Sequence, residues 1–242
     1  HHFLLSALDC AYWDLFGKLE NKSFSGINQL ENKTLAESSI TISIAEIDEQ
    51  IRKIENSSWN KFKVKCNGFN LKNTEKLLNL NRNIALDANA SFTKEDCLFI
   101  QETPGFQKLM YIEQPLEIGN FGILKNSYSV NWMADEDCQD ITFLEKLKPH
   151  YSSINIKLMK CGGLTPALEM ITEAKKLGYK IMLGCMTESS IGISAGCAIA
   201  GLLDFADLDG ANLISNDYAT GSFVDNGKII LSEKPGLGIA LL

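Results

Sequence analysis

The sequence predicts a single α/β domain wound as a closed parallel barrel, and three observations carry that expectation. Short apolar runs of strand length alternate with longer amphipathic runs from about residue 40 onward. No long linker or low-complexity stretch interrupts the alternation, and eight strand-like runs in a 242-residue chain suit closure better than an open doubly wound sheet. Short connections between alternating elements imply parallel strands joined by right-handed crossovers.

The elements follow in order. Ala7, Leu8, Ala11, Tyr12 and Leu15 recur at i, i+3, i+4 spacing, so 3–19 reads as an amphipathic helix whose apolar face must pack on something. This helix and the connection to residue 35 stand outside the alternation, as the end of a preceding module. Strands are expected at 40–45, 61–65, 83–87, 110–113, 131–135, 153–157, 180–184 and 204–207. Helices are expected at 45–54, 71–80, 93–103, 140–147, 165–177 and 189–203, with Thr93 three residues before Asp96 as a capping pair. Residues 116–130 are the least clearly helical connection. Past the eighth strand comes a glycine- and turn-rich tail, 221–238, in place of a further helix, so the architecture is (β/α)7β over residues 36–242.

Composition narrows the function. Apolar content of 45% and charged content of 22% are those of an ordinary globular chain. No apolar run reaches the roughly 18 residues of a membrane span. A balance of 23 basic to 30 acidic residues, with no Lys/Arg block, argues against nucleic acid as a partner. Seven cysteines, an odd number with no C-x-x-C pair, fit reduced thiols in a cytoplasm, and the opening His1-His2-Phe3-Leu4-Leu5 is no signal peptide.

Strands buried on both faces read as continuous apolar runs, so charges on them need a reason. Here they gather at the C-terminal ends: Lys63 and Lys65 on the second strand, Asp87 on the third, Glu113 on the fourth, Asp135 on the fifth, Lys157 on the sixth, and Asp207 with Asp209 on the eighth. Singly, each reads as a solvated strand face, a cap or a turn residue. Together they mark the barrel face on which active sites are built. Three carboxylates on adjacent strands, with no His or Cys beside them, form an all-oxygen set for a hard divalent cation, Mg²⁺ first and Mn²⁺ as the alternative. The second and sixth strands of an eight-strand ring lie half a turn apart, so Lys65 and Lys157 face each other across the mouth. Such a pair suits removal of a proton from one face of a carbon acid and its return to the other. Lys63 shares the inward face with Lys65 because strand side chains alternate, and its like charge favours a neutral Lys65. Neither Cys66 nor Cys185 has a histidine placed to activate it.

The motifs Phe62-Lys63-Val64-Lys65, Leu86-Asp87-Ala88-Asn89, Tyr111-Ile112-Glu113-Gln114-Pro115-Leu116, Ala134-Asp135-Glu136 and Asn155-Ile156-Lys157-Leu158-Met159-Lys160-Cys161-Gly162-Gly163 occur in register. Their order resembles the enolase superfamily, in its muconate-lactonizing-enzyme-like subgroup. The resemblance implies a TIM-like (β/α)7β barrel, Asp87, Glu113 and Asp135 as Mg²⁺ ligands, Lys65 and Lys157 as the acid/base pair with Lys63 in support, and Asn89 and Glu136 behind them. Asp207-Leu208-Asp209-Gly210 is similar to the D-x-D motif of the dipeptide epimerases, which implies that Asp207 and Asp209 hold a substrate ammonium remote from the metal. Gly184-Cys185-Met186-Thr187-Glu188-Ser189 also resembles the family and places Met186 and Glu188 against the substrate. The implied reaction inverts the α-carbon of the C-terminal residue of a dipeptide such as L-Ala-L-Glu, a peptidoglycan fragment, in a homo-oligomer. The family's N-terminal α+β capping domain is represented in 1–35 only by its last helix. Two readings stand beside this one: an o-succinylbenzoate synthase or muconate cycloisomerase on the same scaffold, and a barrel without activity for want of its cap.

Overall fold

The computed structural model describes residues 1–30 and 33–242; residues 31 and 32, in the connection assigned to the first module, lie outside the described residues. Eight parallel strands follow one another around the sheet in sequence order: β1 (Ile40–Ile42), β2 (Lys61–Lys65), β3 (Asn83–Asp87), β4 (Ile112–Glu113), β5 (Trp132–Ala134), β6 (Ser153–Ile156), β7 (Lys180–Gly184) and β8 (Phe205–Asp207). A parallel bridge between Ser38 and Ala206, with the Ser39 N–H donating to the Ala206 carbonyl at 2.9 Å, brings β8 back to the start of β1. The sheet is therefore a nearly closed barrel, as the alternation predicts.

The period of two along each strand sorts its side chains into two cores. Val64, Leu86, Ile112, Ile154 and Leu183 point outward into the main core beneath the helices. Ala85, Tyr111, Met133 and Met182 point inward and, with Met110 and Phe205 against them, plug the middle of the barrel. Above that plug the inward positions become charged. The crossover helices are α3 (Ile47–Glu55), α4 (Leu71–Leu78), α5 (Lys94–Glu102), α6 (Leu144–Leu147), α8 (Leu164–Lys176) and α9 (Ser190–Cys197), following α1 (His2–Leu19) and the short α2 (Phe24–Ile27). At α5 the Thr93 side chain accepts from the Asp96 N–H while Asp96 accepts from the Thr93 N–H, closing the capping box expected there.

Three connections depart from the expected helices. Residues 116–130 hold only the 3₁₀ turn Phe121–Ile123, and 140–147 opens with a 3₁₀ turn before α6. The last helix ends at Cys197, six residues early; the chain goes on as a 3₁₀ turn over Ala200–Leu202, and the Ala200 carbonyl accepts the Ala36 N–H from the entry to β1. A further short helix, α7 (Leu158–Cys161), follows β6 directly, and Gly162 and Gly163 turn the chain into α8 at φ of 106° and 125°. The tail forms two antiparallel pairs, β9 (Ala219–Thr220) with β12 (Ala240–Leu241), and β10 (Phe223–Asp225) with β11 (Lys228–Ile230).

The apolar face read on α1 is not the face that packs. Leu8, Tyr12 and Leu15 are 59%, 65% and 56% exposed, whereas Cys10, Trp13 and Gly17 meet the barrel. Polar bonds and close approach fasten this second face. Asp9 accepts from the Thr165 N–H at 3.0 Å and from its hydroxyl at 2.6 Å, placing a carboxylate at the N-terminus of α8, and the Trp13 indole donates to Thr165 at 2.9 Å. A β-carbon at Gly17 would lie 2.6 Å from the Gly236 Cα. Gly17→Ala is therefore expected to cost about 1–3 kcal/mol in urea unfolding. Gly122→Ala, where a β-carbon meets nothing within 4 Å, should stay within about 0.5 kcal/mol.

Candidate active site

Parallel register sets the strand ends level with one another. Lys65 of β2 pairs across from Asp87 of β3, Asp87 from Glu113 of β4, and Gly184 of β7 from Asp207 of β8. A cavity of about 300 Å³ opens at this end, and Lys63, Lys65, Asp87, Asn89, Glu136, Lys157, Met186, Asp207 and Asp209 all line it. Glu113 and Asp135 sit just beneath, each almost fully buried. Glu188 lies to one side, on a larger and mostly apolar cavity of about 540 Å³ that shares Lys157, Cys185 and Met186 with the mouth. The sequence-predicted residues thus converge on one end of the barrel, contributed by β2 to β8.

Lys63 is the hub. Its ammonium lies 3.5 Å from Asp87 Oδ2 and 3.6 Å from Glu113 Oε2, and it is ion-paired with Asp207. Burial alone would strip its proton, but Asp207, Glu113 and Asp87 outweigh burial and hold the group well above the usual lysine range. The charge of Lys63 is thus taken up by carboxylates on three strands. The D-x-D pair consequently splits in two: Asp207 turns inward to Lys63 and the Ser39 hydroxyl, while Asp209 accepts the Thr41 N–H at 2.7 Å on the cavity wall. Burial, with Asp207 beside it, raises Asp209 to about 6.

Asp87, Glu113 and Asp135 share a pattern. Each has one oxygen fastened by a donor of the surrounding structure: Asp87 Oδ1 by the Asn89 N–H at 3.2 Å, Glu113 Oε1 by Asn155 Nδ2 at 2.6 Å, and Asp135 Oδ1 by Lys160 Nζ at 2.5 Å. The second oxygens differ. Asp87 Oδ2 is 3.3 Å from the Lys65 ammonium, Asp135 Oδ2 accepts from Lys157 at 2.7 Å, and Glu113 Oε2 is buried without a hydrogen-bond partner. Burial, with Asp87, Asp135 and Asp207 crowding it, pushes Glu113 up to about 8 despite Lys63. Asp135 goes the other way, down to about 2, because Lys160 and Lys157 overcome its burial.

In this lysine-bound arrangement no three acidic, histidine or cysteine side chains form a ready-made metal cluster among the described residues. The donor set nonetheless fits a hard divalent cation: all the donors are oxygens, they converge at one end of the barrel, and one of them, Glu113 Oε2, is buried with no hydrogen-bond donor. Lys65 Nζ donates to Asn89 Oδ1 at 2.8 Å, and Asn89 and Ala90 hold left-handed backbone at φ of 40° and 65°. The Gln114 carbonyl fixes that turn by accepting the Ala90 N–H at 2.7 Å. The thiols take no part. Burial raises Cys66 to about 12 and Cys185 higher still, so neither supplies a thiolate at neutral pH.

Two residues with no expectation of their own belong to this site, Asn155 and Lys160. Their signals were an asparagine between two isoleucines of a buried strand and a lysine one helical turn after Lys157. Gln114 was likewise missed: its Oε1 accepts the N–H groups of Asp135 and Asp137, both at 3.1 Å, and ties the ends of β4 and β5 together.

A family model described as enolase C-terminal domain-like matches residues 46–242. The chain belongs to the enolase superfamily. An L-Ala-D/L-amino acid epimerase of a Maribacter species is 36% identical over 250 residues, spanning 99% of this chain and 73% of its own length. An L-Ala-D/L-Glu epimerase of Bacteroides thetaiotaomicron is 35% identical over 242 residues, spanning 97% of this chain and 63% of its own. Among solved structures, a dipeptide epimerase from Methylococcus capsulatus complexed with Mg and the dipeptide L-Arg-D-Lys superposes with a TM-score of 0.84 at 27% identity, over 97% of this chain and 72% of its own. These relatives are isomerases built on the same superfamily barrel.

Within that barrel Lys63 is expected to be structural as well as chemical. Lys63→Met leaves several buried carboxylates uncompensated and should lower stability by about 3–5 kcal/mol. Lys65→Met, on a side chain one-third exposed, should change it by less than about 1 kcal/mol. Urea denaturation of both variants checks the contrast.

Proposed function

We propose that the chain is a Mg²⁺-dependent dipeptide epimerase that inverts the α-carbon of the C-terminal residue by proton transfer between Lys65 and Lys157. The observation that carries this reading is geometric. Two lysines from β2 and β6, opposite each other in the ring, line one cavity above a set of inward-facing carboxylates.

Asp87, Glu113 and Asp135 would hold the cation through the oxygens that now face lysines. Bound there, Mg²⁺, or Mn²⁺ in its place, would supply the Lewis acidity that lets an amine remove the proton beside the substrate carboxylate. One lysine, neutral, takes the α-proton as the C–H bond breaks and becomes an ammonium. The other, already an ammonium, gives its proton to the opposite face, forming the new C–H bond and leaving a neutral amine. Lys157 begins in the donor state: Asp135 and Glu113 outweigh burial and raise it. Lys65 is steadied by Asn89. Lys63, kept protonated by its three carboxylates, adds fixed positive charge beneath the reacting carbon.

At the far end the substrate ammonium meets Asp209, with Asp207 behind it partly neutralised by Lys63. Met186 and Thr187 wall the cavity there, and Glu188 stands against the adjoining one. Asn89 and Glu136 close the opposite side, with burial and Asp135 raising Glu136. An L-Ala-L-Glu type dipeptide, as released from peptidoglycan in the cytoplasm, is the substrate we favour, in keeping with the names of the relatives.

With Mg²⁺ present, deuterium should enter the α-carbon of the C-terminal residue of L-Ala-L-Glu in D₂O, read by proton NMR. Absence of exchange from the Mg²⁺-loaded protein overturns the reading. Epimerisation should fall about 10²- to 10⁴-fold in Lys65→Ala and in Lys157→Ala, each variant retaining exchange only with the epimer whose proton faces the surviving lysine. Asp209→Asn should raise the KM for the dipeptide at least tenfold by about 1.4 kcal/mol or more of lost ammonium binding. Indifference to that change would instead favour a substrate without an amine, as in o-succinylbenzoate synthase or muconate cycloisomerase chemistry.

A further inference from the structure

The β6 end carries three polar prongs in six residues, and only Lys157 reaches the mouth cavity. Asn155 is completely buried on β6 and donates to Glu113 Oε1 at 2.6 Å, while its own Oδ1 meets no donor. Glu113 alone therefore orients the amide. Space for it is reserved across the sheet, since a β-carbon on Gly184 would lie 2.7 Å from both amide atoms of Asn155. Gly184 has an ordinary backbone conformation, so the reason for a glycine there is room and not φ. Lys160, from α7, is held by four acceptors: Asp135 Oδ1 at 2.5 Å, the Asp135 carbonyl at 2.6 Å, the Asn155 carbonyl at 3.2 Å and the Cys138 carbonyl at 3.3 Å. It does not line the mouth cavity and stands apart from Lys157 in function.

We propose that Asn155 is a positioning residue: by pinning Glu113 Oε1 it leaves only Oε2 for the cation, as Lys160 and the Asn89 N–H leave one oxygen each of Asp135 and Asp87. The proposal rests on these three carboxylates being the cation ligands. Each then binds through a single oxygen, which leaves half of an octahedral shell for substrate and water. A carboxylate free to turn would offer both oxygens and close part of that shell. The cost of losing such an outer hydrogen bond is usually 10- to 100-fold in metal affinity.

The test uses Mn²⁺ as the probe, with the free ion counted by electron paramagnetic resonance and the bound ion read from its line shape. Two variants perturb the amide from opposite sides. Asn155→Leu removes it, and Gly184→Ala displaces it while leaving it in the chain. Both are expected to weaken Mn²⁺ binding at least tenfold, and Asn155→Leu should alter the bound line shape as Glu113 Oε1 becomes free. At saturating Mg²⁺ the kcat for the dipeptide should recover to within about tenfold of the parent in Gly184→Ala, a split that loss of an acid or base does not allow. Should Asn155→Leu not fold, Asn155→Ser shortens the same side chain beyond reach of Glu113 and is expected to weaken Mn²⁺ likewise. Folded variants that bind Mn²⁺ within twofold of the parent, with its line shape, overturn the role of Asn155 and leave the metal site standing. A parent that binds no Mn²⁺ overturns both.

Discussion

The structure depends on an ammonium group buried inside a ring of strands. Removing Lys63 from water is costly, and the cost is offset only because Asp87, Glu113 and Asp207 reach it from β3, β4 and β8. Those three strands come within reach of one side chain on β2 only when the sheet has curled and β8 has returned to β1. The cluster is therefore a consequence of closure and a reason for it. Below it the barrel is plugged by Tyr111, Met133 and Met182; above it the carboxylates and lysines of the mouth begin. Stability and chemistry meet in the same few atoms, and the electrostatics of the mouth are inherited from the fold.

Much of this was legible because buried strands make charge conspicuous. An aspartate or lysine that ends an apolar run in a parallel sheet has few places to go, and the runs ending at Lys65, Asp87, Glu113 and Asp207 all led to the mouth. What the sequence withheld was partnership across the ring. Asp207 and Asp209 read as an equivalent pair, yet only closure shows that Asp207 faces Lys63 while Asp209 faces the Thr41 backbone. Asn155 and Lys160 were hidden for the same reason, since their partners lie on β4 and β5. Periodicity failed in a different way at α1. It found an apolar stripe correctly, but a stripe is not a contact, and the packing face proved to be another one, with Cys10 and Trp13 on the core, Gly17 at close approach and Asp9 bonded to Thr165. In 116–130 there was no period to find, and the structure holds only one 3₁₀ turn there.

Epimerases named for different dipeptides match this chain over nearly its whole length. The barrel and its strand ends are thus a platform common to several specificities, as expected where a rigid ring fixes the reacting groups and the surrounding loops vary. The large, mostly apolar cavity beside Lys157 and Met186 adds relief to that platform without reaching Asp87, Glu113 or Asp135.

The segment from Asn155 to Lys160 has a consequence for how such a protein can change. One prong donates to Glu113, one lines the mouth cavity and donates to Asp135, and one grips the other oxygen of Asp135, all within a turn and a half of chain. Inserting or deleting a single residue there would shift the three together. On the proposed reading, cation affinity and proton delivery are consequently linked traits, carried by one short segment of chain.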